Sequence, residues 1–444
     1  MDEGGFMGTG HRVRSTTFLA LLGLLSAGCG VGEADGNSAD TSAPPARAEC
    51  DPGNAGLTLP DGFCASLFAS DVSGARHLVV APNGDVFVAL RNSRSTPGGV
   101  MVLRDTDGDG RADQRERWGE NGGTGIMLHE GWVYFAPDDA VLRYPLVAGS
   151  MRPAGQPDTI VMGMPSDRNH AAKSIAIGPD EKLYVNIGAP SNACQAQSRQ
   201  QGSPGIDPCP QLEDRGGIWR FSASRARQQQ NGRRAFATGL RNVVALALNP
   251  ETGSLFGTMH GRDSLHELWP DLFTEAQRVE KPAEEFVLIE RGDDFGWPYC
   301  YHDPQTGTKY LGPEYGGDGR TVGRCARAKD PLAGFPAHWA PNGLVFYHGE
   351  QFPERYRGGA FVAFHGSWNR SPAPQAGYNV AFVPMSGDMV TGEWSVFADG
   401  FAGGNVSPRG AEGRPAGIAV GPDGSLFVSD DQGGSIWRIA YSGE

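Results

Sequence analysis

No stretch of the 444-residue sequence is apolar for long enough to cross a bilayer, which takes about 20 consecutive apolar residues. The run near the start, Phe18 to Leu25, falls well short of that. Positive charge is also in deficit, with 38 Lys and Arg facing 51 Asp and Glu for a formal net charge of −13. Long-range attraction therefore does not draw the chain to nucleic acid or to an anionic membrane surface. Cysteine is scarce: the seven residues include no CxxC or CxxCH pattern, so neither a thiol-bound metal nor covalently attached haem is expected.

What the N-terminus does have is Arg12 and Arg14, then the short apolar run, then Ser26-Ala27-Gly28-Cys29. That layout predicts a cleavable export signal over 1–28. The small residues before Cys29 resemble a bacterial lipobox, which would place a lipid on Cys29, although Ser26 stands where leucine is usual. Ordinary signal cleavage near the same place is the alternative. Residues 29–49 are polar with two prolines and read as a flexible tether, leaving 50–444 as the globular part. The expected location is the periplasm or the outer membrane, with membrane contact only through the lipid. In an exported chain the six remaining cysteines read as disulfides; many connectivities are open, and sequence neighbours suggest Cys50–Cys64, Cys194–Cys209 and Cys300–Cys325.

With 65 glycines and 32 prolines the chain is dense in turn signals, and the segments between them are short, β-branched or aromatic. One unit recurs: an apolar strand, a Pro/Asn/Asp/Gly turn, and a second strand ending in small residues. It reads LVVAPNGDVFVAL at 78–90, SIAIGPDEKLYVNIG at 174–188, ALALNPETGSLFGTM at 245–259 and GIAVGPDGSLFVSDD at 417–431, with weaker copies at 126–146 and 344–366. Six copies predict an all-β fold, a six-bladed β-propeller of four-stranded antiparallel blades, because a lone hairpin cannot bury its apolar face whereas blades packed in a ring can. SIWRIAY at 435–441 and GFCASLFASDV at 62–72 are placed to complete one blade together. A β-sandwich or two smaller β domains are the alternatives.

Residues 105–116, DTDGDGRADQRE, carry Asp105, Asp107, Asp109, Asp113 and Glu116 at positions one, three, five, nine and twelve, with Gly110 at six. This spacing wraps oxygen ligands, including the Arg111 carbonyl, around Ca²⁺. The flanks are strand-like, so the expectation is a structural calcium hairpin; a solvated acidic turn is the alternative.

Polar residues just beyond strand ends are the candidates for a site where propeller loops converge. His170, Arg241, Asn242, His260, Gly261 and Arg414 all fall at such positions, and His365 also sits near a strand end. In their settings, DRNHAAKSIAIGPDEKLYVNIG, GLRNVVALALNP, GRDSLHE, DDFGWPYC, HGSWNR and GRPAGIAVGPDGSLFVSDD, these residues resemble the glucose/sorbosone dehydrogenase family over about residues 55–442, HGSWNR marking a sorbosone-type branch. The resemblance implies a propeller that binds pyrroloquinoline quinone (PQQ) with Ca²⁺. It implies His170 as general base, Arg241 and Asn242 against the quinone, the backbone carbonyls of Gly261 and Arg262 on the catalytic calcium, and Arg414 paired with a cofactor carboxylate. Where glucose-oxidising members have a lysine on the late cofactor loop, this chain offers Arg370; their second late arginine falls on Ala416, and a proline of the calcium loop has become Arg262.

The expected function is PQQ- and calcium-dependent oxidation of an aldose or related sugar aldehyde, a small-molecule substrate, with electrons passed to a periplasmic acceptor. A non-catalytic sugar- or protein-binding propeller and a calcium-dependent lactonase are the competing readings. Bland roles also stand beside the sharp ones: His170 as a hydrogen-bonded structural histidine, Arg241 and Arg414 as blade-to-blade salt bridges, Trp297 and Trp368 as packing.

Overall fold

The computed structural model describes residues 50–443, apart from 93–96 and 233–234. The expected signal peptide, Cys29 and the tether lie outside the described residues. Each repeated unit folds as an antiparallel hairpin, with the Pro/Asp/Gly signals at its turn, and further strands pair outward to make a blade. Blade 1 holds Ala75–Val80, Val86–Leu90, Gly99–Arg104 and Gln114–Trp118; blade 2 holds Gly123–His129, Trp132–Pro137, Val141–Pro145 and Asp158–Met162. Blade 3 holds Ile175–Ile177, Lys182–Ile187, Gly217–Ser222 and Ala235–Thr238; blade 4 holds Ala245–Leu248, Leu255–Met259, Glu284–Ile289 and Ala333–Phe335. Blade 5 holds Pro341–Phe346, Ala360–Phe364, Val380–Val383 and Ser395–Ala398. Blade 6 holds Pro415–Val420, Leu426–Asp430 and Ile436–Tyr441, closed by Phe63–Ala69.

The first-named strand of each blade faces the central channel, and apolar side chains fill the gaps between neighbouring blades. Phe87, Val102 and Phe135 pack between blades 1 and 2, Ile160, Ile177 and Trp219 between 2 and 3, and Ile218, Leu246 and Val287 between 3 and 4. Phe256, Phe346 and Phe364 fill the next gap, Phe361, Ile418 and Val428 the one after, and Phe68, Val88 and Phe427 the gap where blade 6 meets blade 1. Both faces of each sheet are thus buried, which is what makes β-branched and aromatic residues stable there.

The ring closes as the sequence predicts. Phe63–Ala69 pairs antiparallel with Ile436–Tyr441, setting Phe63 opposite Tyr441 and Leu67 opposite Trp437. The Phe63 ring meets those of Phe352, Tyr356, Phe397 and Tyr441 in edge contacts with centroids 4.7 to 5.3 Å apart. Burying one such phenylalanine stabilises by roughly 1.5–3 kcal/mol, so this cluster is a strong part of the clasp.

The three disulfides join Cys50–Cys64, Cys194–Cys209 and Cys300–Cys325, the sequence neighbours. Two of them staple long connections, residues 188–216 in blade 3 and 290–332 in blade 4. The second carries an extra hairpin, Cys300–Asp303 with Thr308–Leu311. Gln228–Gln229 adds to blade 2 in parallel, alongside Val161 and Met162.

The acidic loop corrects one expectation. Side-chain oxygens of Asp105, Asp107 and Asp109 lie within 4.8 Å of one another. Glu116, expected at the ion, instead sits in the ladder opposite Val102 and pairs with Arg152. A strand following the loop points that side chain away, where a helix would have turned it back. Asp113 takes the Thr106 hydroxyl at 2.5 Å. The Ala112 amide donates to the Phe68 carbonyl at 2.8 Å, tying the loop to the closing strand. Among the described residues no helix is long and apolar enough to cross a membrane.

Candidate active site

The channel opens differently at its two ends. Toward the hairpin turns of the inner strands it holds a void of about 1170 Å³ whose walls include Val79, Leu128, Ile177, Leu246, Leu344 and Val420. At the opposite end, where the inner strands begin, lies a mouth of about 560 Å³ lined by polar residues. His170, Arg241, Asn242, His260, Gly261, His365 and Arg414 all line this second cavity. They are gathered there because His170, Arg241, Asn242 and Arg414 precede the inner strands of blades 3, 4 and 6, while His260, Gly261 and His365 follow the second strands of blades 4 and 5.

His170 is held in the left-handed region, φ 55°, an uncommon conformation for a residue with a side chain. Its Nδ1 lies 2.6 Å from the Ala189 carbonyl oxygen. A carbonyl only accepts, so Nδ1 carries the proton, and in the neutral ring Nε2 keeps its lone pair. Burial, then the charge of Arg241, pushes the imidazole down to about 3, which keeps it neutral at pH 7. Gly188 lies behind it; a Cβ there would come within 2.5 Å of the His170 Cβ and 2.7 Å of Asn242 Oδ1, so glycine is what lets the two side chains approach.

Arg241 is buried and braced. Its guanidinium donates to the Gly261 carbonyl at 2.9 Å, to Asn192 Oδ1 at 3.1 Å and to Asp263 Oδ2 at 2.9 Å, while Nε reaches the Asn192 carbonyl at 3.2 Å. Arg199 donates to the same Asp263 oxygen at 2.7 Å, and Asn369 to the other at 3.1 Å. Burial works to raise the Asp263 carboxyl, but Arg241, His338 and Arg199 outweigh it and hold the group well below the usual carboxylate range.

Across the mouth Asp431 plays the same part. His365 Nε2 lies 2.7 Å from one of its oxygens, and Arg76 and Arg91 approach the other at 2.8 and 3.2 Å. Arg414 differs: its Nε and a terminal nitrogen donate to the His365 and Gly366 carbonyls at 2.9 and 2.8 Å, and it stands over the Tyr378 ring. It forms no ion pair among the described residues, so its charge is left for a ligand.

Three groups at the mouth escape sequence reasoning. Glu284 is buried, with Oε2 accepting from the Gly261 amide at 2.9 Å and no ion pair among the described residues; burial pushes its carboxyl up to about 8. Asn342 and Asn369 each leave a buried side-chain oxygen without a hydrogen-bond partner among the described residues. Glu284 opens the third strand of blade 4, and nothing local marks it; antiparallel pairing with the second strand, Met259 opposite Glu285, brings it beside Gly261.

Arg370, expected on the cofactor loop, is absent from the mouth. Arg370 turns into its own loop, donating to the Val279, Ala337 and Pro374 carbonyls at 2.5, 3.1 and 3.1 Å, so it braces backbone instead of facing the cavity. The Arg262 side chain is buried against Glu314, and Arg262 does not line the cavity. Trp297 packs beside the Cys194–Cys209 bridge and donates to the Asn192 carbonyl at 2.9 Å, whereas Trp368 lines the mouth and is 58% exposed.

Comparison with known proteins places this geometry. The chain is 30% identical over 206 residues to an uncharacterized protein of Borreliella burgdorferi, covering 46% of this chain and 48% of that one. It is also 30% identical over 240 residues to a pyrroloquinoline quinone-dependent pyranose dehydrogenase of Coprinopsis cinerea, covering 46% of this chain and 31% of that protein. The match thus spans about half the length of the first relative and under a third of the second. In structure, the PQQ domain of that pyranose dehydrogenase in its holo form superposes with a TM-score of 0.69 at 20% identity, covering 86% of this chain and 97% of the other. The calcium structure of a Trichoderma reesei carbohydrate-active enzyme of family AA12 gives 0.69 at 19%, covering 87% and 97%. A PQQ-bound aldose sugar dehydrogenase of Streptomyces coelicolor gives 0.53 at 18%, covering 86% and 99%. These neighbours share the propeller fold. The family model described as TrAA12-like matches residues 57–442, nearly the whole ring with its mouth, and the chain belongs to that family.

Proposed function

We propose that the protein oxidises an aldose or related sugar aldehyde at this mouth, using PQQ and calcium. The residues present fit such a cofactor. A cavity of about 560 Å³ is in the range of small-molecule sites. Arg414 offers a guanidinium with no ion pair among the described residues, suited to a cofactor carboxylate. Asn342 and Asn369 present buried oxygens that lack hydrogen-bond partners among the described residues, and Asn242 lines the floor beside Arg241. The Gly261 carbonyl would hold the calcium after exchanging its contact with Arg241. When bound, the quinone supplies the hydride acceptor and the calcium polarises its carbonyl.

The observation that carries the proposal is the fixed tautomer of His170. With Nδ1–H tied to the Ala189 carbonyl, Nε2 can take the proton of a sugar hydroxyl as hydride leaves the same carbon. Asp263 and Arg241 hold the floor rigid, so the base and the cofactor-binding arginines are placed before substrate arrives. The electrons then go to an acceptor outside the cytoplasm, in keeping with three disulfides and with the lipid proposed on Cys29. The Asp105 loop is proposed as a separate structural calcium site, with Asp105, Asp107 and Asp109 as its side-chain ligands.

The test is to add PQQ and Ca²⁺ to the purified protein and follow dye reduction across aldoses and sugar aldehydes. Sugar-dependent reduction supports the proposal; absence of PQQ binding, or lactone hydrolysis without quinone, overturns it.

A further inference from the structure

The charge of the mouth is not that of the molecule around it. In a chain of formal net charge −13, six arginines line one cavity. Four of them share two carboxylates, Arg76 and Arg91 on Asp431 and Arg199 and Arg241 on Asp263. The other two, Arg414 and Arg168, are in no ion pair among the described residues. Asp138 and Glu284 also line the cavity, and with all four of these carboxylates ionised the six arginines still leave it a surplus of positive charge.

The arginines also differ in depth. Arg241 is buried with its guanidinium committed, and Arg414 is pinned to two carbonyls. Arg168 is exposed at the rim, two residues before His170, and makes no hydrogen bond or ion pair among the described residues. The side chain of Arg91 is 52% exposed. Trp368 lies on the same lining, also exposed, offering an aromatic face against which the C–H face of a sugar ring packs. The same cavity lining thus holds an exposed guanidinium with no ion pair among the described residues, an exposed indole and the proposed base.

We infer that the preferred substrate is an anionic sugar, an aldose carrying a carboxylate such as a hexuronic acid, whose charged group is held by Arg168 at the rim while the reacting hydroxyl faces His170. This inference rests on the proposed sugar oxidation and names its substrate class. A guanidinium binds a planar carboxylate through two parallel hydrogen bonds, and a mouth of positive potential raises the local concentration of an anion. A neutral aldose gains neither contact.

The experiment compares glucuronate with glucose on the PQQ- and calcium-loaded protein, alongside ligand-observed NMR of glucuronate binding to cofactor-free protein. The expected result is a kcat/KM for glucuronate about tenfold above that for glucose, the worth of one charge-assisted contact. That preference should shrink as salt is raised. Arg168→Gln should lower the glucuronate-to-glucose ratio about tenfold, through KM more than kcat, and weaken the NMR-detected binding by a similar factor. Because Arg168 is exposed and makes no hydrogen bond or ion pair among the described residues, the variant is expected to fold as the parent does. Glucose turned over as well as glucuronate, with a ratio that Arg168→Gln does not move, overturns the inference and leaves the proposed oxidation standing. Salt-sensitive glucuronate binding that needs Arg168, in a protein that reduces no dye, supports the anion site while sinking the oxidation.

Discussion

His170 Nδ1 stands 2.6 Å from the Ala189 carbonyl oxygen, and this one contact fixes Nδ1 as the protonated ring nitrogen. Burial and Arg241 push the imidazole down to about 3, against an ordinary value of 6.5. A base that stays unprotonated to such low pH leaves no limb near pH 6.5 in the acid side of the kcat/KM profile. Activity measured downward from neutrality should hold until other groups or stability fail. The stability signs agree: a histidine with a depressed folded value contributes stability above 6.5 and loses it as pH falls toward that folded value. His260, pushed down to about 4 mainly by burial, acts in the same sense.

Glu284 works in the opposite direction. Its carboxyl is raised from 4.5 to about 8 by burial, so the neutral acid is the form the fold prefers. Its contribution is fully present below the unfolded value and is lost as pH rises through about 8, an effect of about a few kcal/mol. In cofactor-free protein, melting temperature should fall between neutral and mildly alkaline pH, and Glu284→Gln should flatten that fall. Equal pH dependence in parent and variant would remove Glu284 as the cause.

Arg414 is expected to matter for cofactor affinity more than for folding. Its guanidinium meets carbonyls and an aromatic ring, with no ion-paired carboxylate among the described residues to leave orphaned when it is removed. Arg414→Lys should raise the Kd for PQQ by about 10- to 100-fold, since an ammonium cannot reproduce the fork. Isothermal titration calorimetry reads this directly; an unchanged Kd would place the cofactor carboxylate elsewhere.

Much of this was legible in the chain. The hairpins at 78–90, 174–188, 245–259 and 417–431 are local, with alternation and turn chemistry agreeing, and each became the inner pair of a blade. The closing partnership of 62–72 with 435–441 was legible because a ring leaves its two end strands no other neighbour. The mouth was read only in part. His170, Arg241 and Arg414 announce themselves beside inner strands, but what they touch does not. Arg76 and Asp431 are separated by 355 positions and meet because blade 6 packs on blade 1. Arg370 was misplaced because charge in a loop says nothing about direction; three backbone carbonyls accept from it and hold it away from the cavity. Glu116 failed for a related reason, since a spacing rule taken from a helix does not survive a strand.

The central claim is that His170 takes the substrate proton beside a bound quinone. Single-turnover reduction of the PQQ- and calcium-loaded protein by its best sugar tests it most directly, comparing the parent with His170→Ala and with His365→Ala. The account predicts that His170→Ala slows quinone reduction by about 10²- to 10⁴-fold while PQQ still binds, and that the loss exceeds that of His365→Ala. Reduction by His170→Ala as fast as by the parent, with PQQ bound, would contradict it.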